Sequence, residues 1–312
     1  MSSFRFVAFV LIACLIVPQN APCGSNAQHI LIGITACKWT DPSEQEVSAA
    51  SEPETNESAV EPSKSRPTKL KLIAHRGGVV DETRIENNID SLKEAIARDY
   101  FMLEVDIRES RDGQMVVHHD STFRRFYADD RSLAEMTWDE IQSLRSEAGG
   151  HTPLSFEQFA ALCRGRIHMM IDTKGPDHSL DFFQMLERIL RENDLLDSAI
   201  IIGTQQSRDY FRGKAKVGIN ASELRTAVEE GAEVSSLYVL FAHGKDLDEA
   251  TVKFANLHKV EVIPSVNIFH YPLDRHLALA RADLLRLRAL GVTHFQIDSV
   301  YDQFLIQRPD AR

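Results

Sequence analysis

From Lys69 onward, short β-branched apolar runs alternate with segments whose apolar positions recur at helical spacing. Nine runs read as strands: Lys71–Ala74, Phe101–Ile107, Met115–His119, His168–Thr173, Ala199–Gly203, Ala215–Ile219, Leu237–Phe241, Val260–Val266 and Thr293–Ile297. Amphipathic stretches lie between most of them, over Ile89–Arg98, Thr137–Ser146, Ser155–Cys163, Leu180–Asn193, Ala221–Glu230, Asp248–Leu257 and His276–Leu290. Such alternation across residues 69–312 predicts an α/β fold, a parallel sheet with crossover helices. The length suits a closed TIM-like (β/α)8 barrel. Nine strands is one too many. Only seven residues, Arg108–Gln114, separate the second run from the third, and they include the turn pair Asp112-Gly113. A parallel crossover needs about a dozen residues or more, so Met115–His119 is expected to fold back antiparallel beside the second strand.

The front of the chain follows neither rhythm. Phe6–Val17 is an unbroken apolar run of twelve residues ending at Pro18, behind the weakly basic start Met1–Arg5. It is too short to span a bilayer, which takes about 20 residues, and has the length of a secretory h-region. Residues 1–37 therefore read as an export segment, signal peptide or lipoprotein type. Leu11-Ile12-Ala13-Cys14 and Ile34-Thr35-Ala36-Cys37 are lipobox-like, so Cys14 or Cys37 is a candidate lipid anchor. Residues 38–68 are rich in Glu, Ser and Pro and read as an acidic disordered tether. With only Cys163 and at most Cys37 left after processing, no structural disulfide is expected. The mature protein is expected outside the cytoplasm.

Composition narrows the function classes. The net charge is −11, with 35 Lys and Arg against 46 Asp and Glu, which argues against a nucleic-acid partner. It leaves phosphate chemistry open, because a bound cation can invert the local field.

Polar residues stand where buried strands should be apolar. Ala74-His75-Arg76-Gly77-Gly78 ends the first strand, and Glu104-Val105-Asp106 puts two carboxylates at i and i+2 of the second. That spacing sends both to one face, where they repel unless a cation intervenes; a divalent ion with oxygen ligands is the simplest one. Asp172-Thr173-Lys174 repeats the device on another strand, and Asp172 can complete a three-carboxylate site. Ion pairs with Arg76 and Lys174 are the metal-free alternative. Of His118 and His119, adjacent on a strand, only one can enter the mouth, where with His75 it would serve acid–base chemistry.

In this order the fragments resemble the glycerophosphodiester phosphodiesterase family. The matching stretches are His75-Arg76-Gly77-Gly78, Glu86-Asn87, Glu104-Val105-Asp106, Asp112-Gly113, His119-Asp120, Met136–Ile141, Thr152–Glu157 and Asp172-Thr173-Lys174, with Gly291-Val292 and Asp298 near the end. The resemblance implies a TIM-like barrel that hydrolyses glycerophosphodiesters to an alcohol and glycerol 3-phosphate with one divalent cation, Mg²⁺ or Ca²⁺. It places metal ligands on Glu104, Asp106 and Asp172, with Glu86 and Asn87 in support. The catalytic histidines fall on His75 and His119, and Arg76 and Lys174 bind phosphate. It also implies that the substrate's own glycerol hydroxyl attacks, through a cyclic phosphate that water then opens.

Several positions depart from the family pattern. Asp172 stands where most members have Glu, although the sphingomyelinase D and phospholipase D toxins are similar to this chain there, with an Asp-x-Lys arrangement. Ile85 and Asn88 flank Glu86-Asn87 in place of Pro and Thr, Pro264-Ser265-Val266-Asn267 lacks an aromatic, and Ile297-Asp298 lacks a Thr. A phospholipase D-like lipid phosphodiesterase or lyase is the competing enzyme reading. It would want an aromatic-rich loop for membrane insertion, and none stands out. A barrel that only binds phosphate ligands is the non-enzymatic alternative, disfavoured because no site residue is missing. A metal-dependent amidohydrolase would need His-x-His at the end of the first strand.

Overall fold

The computed structural model describes residues 69–306 other than Pro176. The export segment, both candidate anchor cysteines and the acidic tether lie outside the described residues.

Twelve strands occur among the described residues. They are β1 Lys71–Ala74, β2 Met102–Glu109, β3 Met115–Val117, β4 Thr122–Phe123, β5 Asp129–Ser132, β6 Leu154–Ser155, β7 His168–Thr173, β8 Ile200–Ile201, β9 Lys216–Ile219, β10 Tyr238–His243, β11 Glu261–Val266 and β12 His294–Ile297. Eight of them, β1, β2 and β7 to β12, pair in parallel around a ring that closes through β1–β12 and β1–β2. This is the expected (β/α)8 barrel. As the short connection requires, β3 runs antiparallel to β2, with Arg108 opposite Val116. A second small hairpin, β4–β5, follows it. The expected strand Met115–His119 stops at Val117, so both histidines stand beyond the ladder.

Helices cover the outside. Leu180–Glu192 shows why: Ser179 accepts the Phe182 N–H as its cap, and Phe182, Phe183, Leu186, Ile189 and Leu190 form one buried face. The helix Gln205–Phe211 was not legible from periodicity, because it buries only Ser207 and Phe211.

The two faces of each barrel strand do different work. On β2, Leu103, Val105 and Ile107 face the helices, while Met102 joins Ile73, Met170, Ile200, Val239 and Ile263 to fill the barrel interior. Residues two and four beyond Met102 continue that inward face, so Glu104 and Asp106 rise above an apolar plug. Asp172 continues from Met170 in the same way, and Asp106 lies opposite Asp172 in the β2–β7 register. The apolar layer supports the polar rim from below.

Candidate active site

The turn after β1 is built for close approach. Arg76 adopts φ +52° and its backbone N–H donates to Glu104 Oε2 at 2.8 Å. Gly78, at φ +145°, passes so near the helix Ile89–Ala97 that a Cβ would sit 2.1 Å from the Ser91 carbonyl oxygen. No other residue fits there.

Each catalytic candidate histidine is held by an aspartate. His75 Nδ1 lies 2.6 Å from Asp298 Oδ1, while its Nε2 faces Glu104 Oε2 at 3.9 Å. Asp298 Oδ2 accepts the Ile268 N–H at 2.6 Å. Burial opposes ionisation of Asp298, yet these hydrogen bonds and the His75 charge keep its carboxyl below the ordinary range. His119 Nδ1 lies 2.7 Å from Asp120 Oδ1, and its Nε2 is 3.0 Å from Arg76 Nη2. A guanidinium only donates, so Nε2 is the acceptor and the ring proton sits on Nδ1, donated to Asp120. Partial burial raises the Asp120 pKa, but hydrogen bonds from Arg125 and His119 outweigh it and bring the value to about 2.

His118 turns the other way. It is buried, stacks on Phe123 with ring centroids 4.4 Å apart, and reaches the Thr122 carbonyl through Nε2 at 2.9 Å. Its role is packing. His118→Ala should leave kcat near wild type while lowering stability by about 1–3 kcal/mol through an orphaned carbonyl and lost packing. Steady-state kinetics beside urea unfolding would separate the two effects.

Oxygens of Glu104, Asp106 and Asp172 all lie within 4.8 Å of one another. Burial first, and then the charges of Asp106 and Asp172, push the Glu104 carboxyl well above its ordinary range. Burial raises Asp172 too, whereas for Asp106 the Lys174 ammonium overcomes burial and lowers it. Asn87 Nδ2 donates to Asp106 Oδ2 at 3.1 Å. The other oxygen, Oδ1, is buried and accepts no hydrogen bond, although Lys174 Nζ stands 3.1 Å away as an ion pair. Three hard carboxylates, repulsion between them and a buried oxygen with room for another partner fit a divalent cation.

Two site residues stand differently from expectation. Glu86 groups with His119 and Asp120 rather than with the carboxylate triad: it receives Arg76 Nη1 at 2.9 Å and the two terminal Arg125 nitrogens at 2.6 and 2.8 Å. It anchors the arginines. Lys174 is engaged by Asp172 at 2.6 Å as well as by Asp106, which covers half of the metal-free alternative. The other half is not met, because the Arg76 side chain turns to Glu86 and His119. Sequence reasoning missed Arg125 altogether. The loop Ile268–Leu273 carries Phe269, His270 and Tyr271; Phe269 is exposed, whereas His270 and Tyr271 are buried.

A closed barrel whose C-terminal rim gathers a carboxylate triad, two aspartate-supported histidines and two cations is an enzyme of the metal-assisted hydrolase class. Residues 75–281 match the glycerophosphoryl diester phosphodiesterase family, and the chain belongs to it. Among solved structures, a glycerophosphodiester phosphodiesterase from Agrobacterium tumefaciens is similar with TM-score 0.60 and 15% identity, covering 76% of this chain and 100% of that one. A phosphodiesterase from Oleispira antarctica, in complex with the product sn-glycerol-3-phosphate, matches with TM-score 0.60 and 16% identity over 76% and 97%. One from Parabacteroides distasonis matches with TM-score 0.59 and 20% identity over 76% and 96%. The protein is a metal-dependent phosphoric diester hydrolase acting on glycerophosphodiesters.

Proposed function

We propose that His75 and His119 exchange the two protons of phosphodiester cleavage over a single Mg²⁺ or Ca²⁺ held by Glu104, Asp106 and Asp172, releasing an alcohol and glycerol 3-phosphate. The observation that carries this reading is the pair of aspartate-held histidines flanking the carboxylate triad. When bound, the cation supplies positive charge against the phosphoryl oxygens. The side chains divide the rest. Arg76 lies between Glu86 and His119 and offers its guanidinium to a phosphate in the mouth, and Lys174, just past β7 and paired with Asp106 and Asp172, is the second phosphate-binding cation of this reading. His119 Nε2, unprotonated and aimed at a donor, accepts the proton of the attacking hydroxyl. His75, held by Asp298 and facing Glu104, donates a proton to the leaving alcohol. Asp120 and Asp298 hold the rings in orientation. Release of free alcohol across a panel of glycerophosphodiesters, assayed with and without chelator, tests the reading and identifies the favoured alcohol.

The third ligand has its own test. Asp172→Asn removes a charge from the triad and should leave almost no activity. Asp172→Glu lengthens a side chain whose oxygen already sits 2.6 Å from Lys174 Nζ, and should misplace the ion. A displacement near 1 Å costs about 10²-fold in rate. Wild-type kcat in Asp172→Glu at saturating Mg²⁺ would refute a site shaped around aspartate.

We also infer that the enzyme works outside the cytoplasm, exported by residues 1–37 as a signal peptide or as a lipoprotein-type segment with Cys14 or Cys37 as the anchor. The support is the apolar run Phe6–Val17 and the two lipobox-like contexts. Mass spectrometry of the mature N-terminus checks it: a processed chain is expected, with an acylated cysteine as first residue if the segment is of the lipoprotein type, and an intact Met1 would contradict export.

A further inference from the structure

The polar face of β2 does not end with its two carboxylates. Two residues beyond Asp106, and so on the same face of the strand, stands Arg108, opposite Val116 in the β2–β3 register. Its Nε donates to the His119 carbonyl at 2.8 Å, which ties it to the backbone of a catalytic residue. The terminal nitrogens of its guanidinium form no hydrogen bond or ion pair among the described residues, although Arg108 is half-buried. A charge partly withdrawn from water without a partner is unfavourable, and a bound anion offsets that cost.

Arg108 lines a cavity of about 570 Å³, within the range of ligand pockets. Lys174, paired with Asp106 and Asp172, lines it as well, so the cavity adjoins the carboxylate triad. Arg111 adds a second guanidinium, and Ser121 and Ser132 bring hydroxyls that form no side-chain hydrogen bond among the described residues. The carboxylate in the lining, Glu109, is engaged by His178 Nδ1 at 3.2 Å, and that ring stacks on Phe182 with centroids 3.8 Å apart. What the cavity leaves uncompensated is the positive charge of Arg108.

We propose that this cavity is a second anion subsite and that the diesters cleaved best carry a further phosphate group, bound by Arg108; the proposal rests on the phosphodiesterase reading above. A guanidinium fork matches phosphate oxygens in pairs, and the serine hydroxyls of the lining donate to a remaining oxygen. A neutral or cationic substituent would leave Arg108 without a partner. The further phosphate has two possible positions, on the glycerol or on the leaving alcohol, and both present the same chemistry to Arg108.

The test measures kcat/KM of the Mg²⁺-saturated full chain on three diesters. The parent is glycerophosphoethanediol; the others carry one more phosphate, on the far hydroxyl of the ethanediol or on the far hydroxyl of the glycerol. At least one phosphorylated compound should be preferred to the parent by about tenfold to a hundredfold, the range for hydrogen bonds to charged groups. Which one is preferred assigns the position. In Arg108→Gln that preference should fall to near unity, and likewise in Ser121→Glu, which sets a carboxylate in the lining. Ser121 is exposed, so its variant keeps the test open should Arg108→Gln fail to fold. Each variant is compared with itself across substrates, so a disturbance of His119 through its carbonyl divides out. No preference in the wild type, or one that persists in either variant, would overturn the subsite. Equal loss on all three diesters in Arg108→Gln would overturn it too and leave Arg108 as a support for His119. Turnover of no diester, the parent included, would overturn the phosphodiesterase reading and this proposal with it.

Discussion

Replacing His119 by Ala should lower kcat on glycerophosphocholine by about 10²–10⁴, the range for a lost general acid or base. His75→Ala should lose a similar amount, but the two variants should part company on a substrate with an activated leaving group. With glycerophospho-p-nitrophenol the departing oxygen needs no proton, so His75→Ala should recover most of its loss. His119→Ala should not recover, because the attacking hydroxyl still has to be deprotonated. The assignment comes from the partners of each ring: His119 Nε2 faces the donor Arg76 at 3.0 Å, while His75 is bonded to Asp298 at 2.6 Å and has Glu104 farther off at 3.9 Å. Recovery by His119→Ala instead would exchange the roles. Recovery by neither would remove leaving-group protonation from the mechanism.

Glu104→Gln or Asp106→Asn should abolish activity and, with it, the stabilisation conferred by metal. Mg²⁺ at 100 times its dissociation constant should stabilise the wild type by about 2.7 kcal/mol and neither variant appreciably. The effect depends on pH in a fixed direction. Glu104 and Asp172 have folded-state pKa values raised above their unfolded values. In the metal-free protein the stability they contribute is therefore complete below the ordinary carboxylate range and lost as pH rises through the folded values. Asp106 is shifted down and acts oppositely, but it is one group against two. Metal cancels the repulsion that drives the loss. The thermal shift on adding Mg²⁺ should thus grow as pH rises from the ordinary carboxylate range through the raised folded values. A shift that shrank over that interval would mean that the ion binds elsewhere.

Much of this was legible in the chain because barrel strands announce themselves twice. Runs such as Leu103-Glu104-Val105-Asp106-Ile107 show a buried strand by their apolar positions and a functional face by the polar ones between. The i, i+2 rule places both carboxylates over the apolar plug without knowledge of the rest of the fold. What stayed hidden depends on closure of the ring. Asp298 reaches His75 across 223 positions of sequence, a contact that exists because β12 pairs with β1. Arg125 stands in the short helix Arg124–Tyr127, whose four residues give no periodicity to read, so nothing marked it as the partner of Glu86 and Asp120. The loop Ile268–Leu273 follows directly on β11, where its apolar residues are indistinguishable from more strand. Only the turn at Asn267, where the Ile268 N–H is captured by Asp298, brings Phe269 out to the rim.

Following glycerophosphocholine by phosphorus NMR, first with metal-depleted enzyme and then after adding Mg²⁺, tests the central claim that the histidines and carboxylates form one metal-assisted phosphodiester site. The account predicts no change before the addition, then loss of the diester signal and growth of glycerol 3-phosphate, with His119→Ala and Asp106→Asn each silent under the same conditions. Equal turnover in the metal-depleted and Mg²⁺-loaded samples would contradict it.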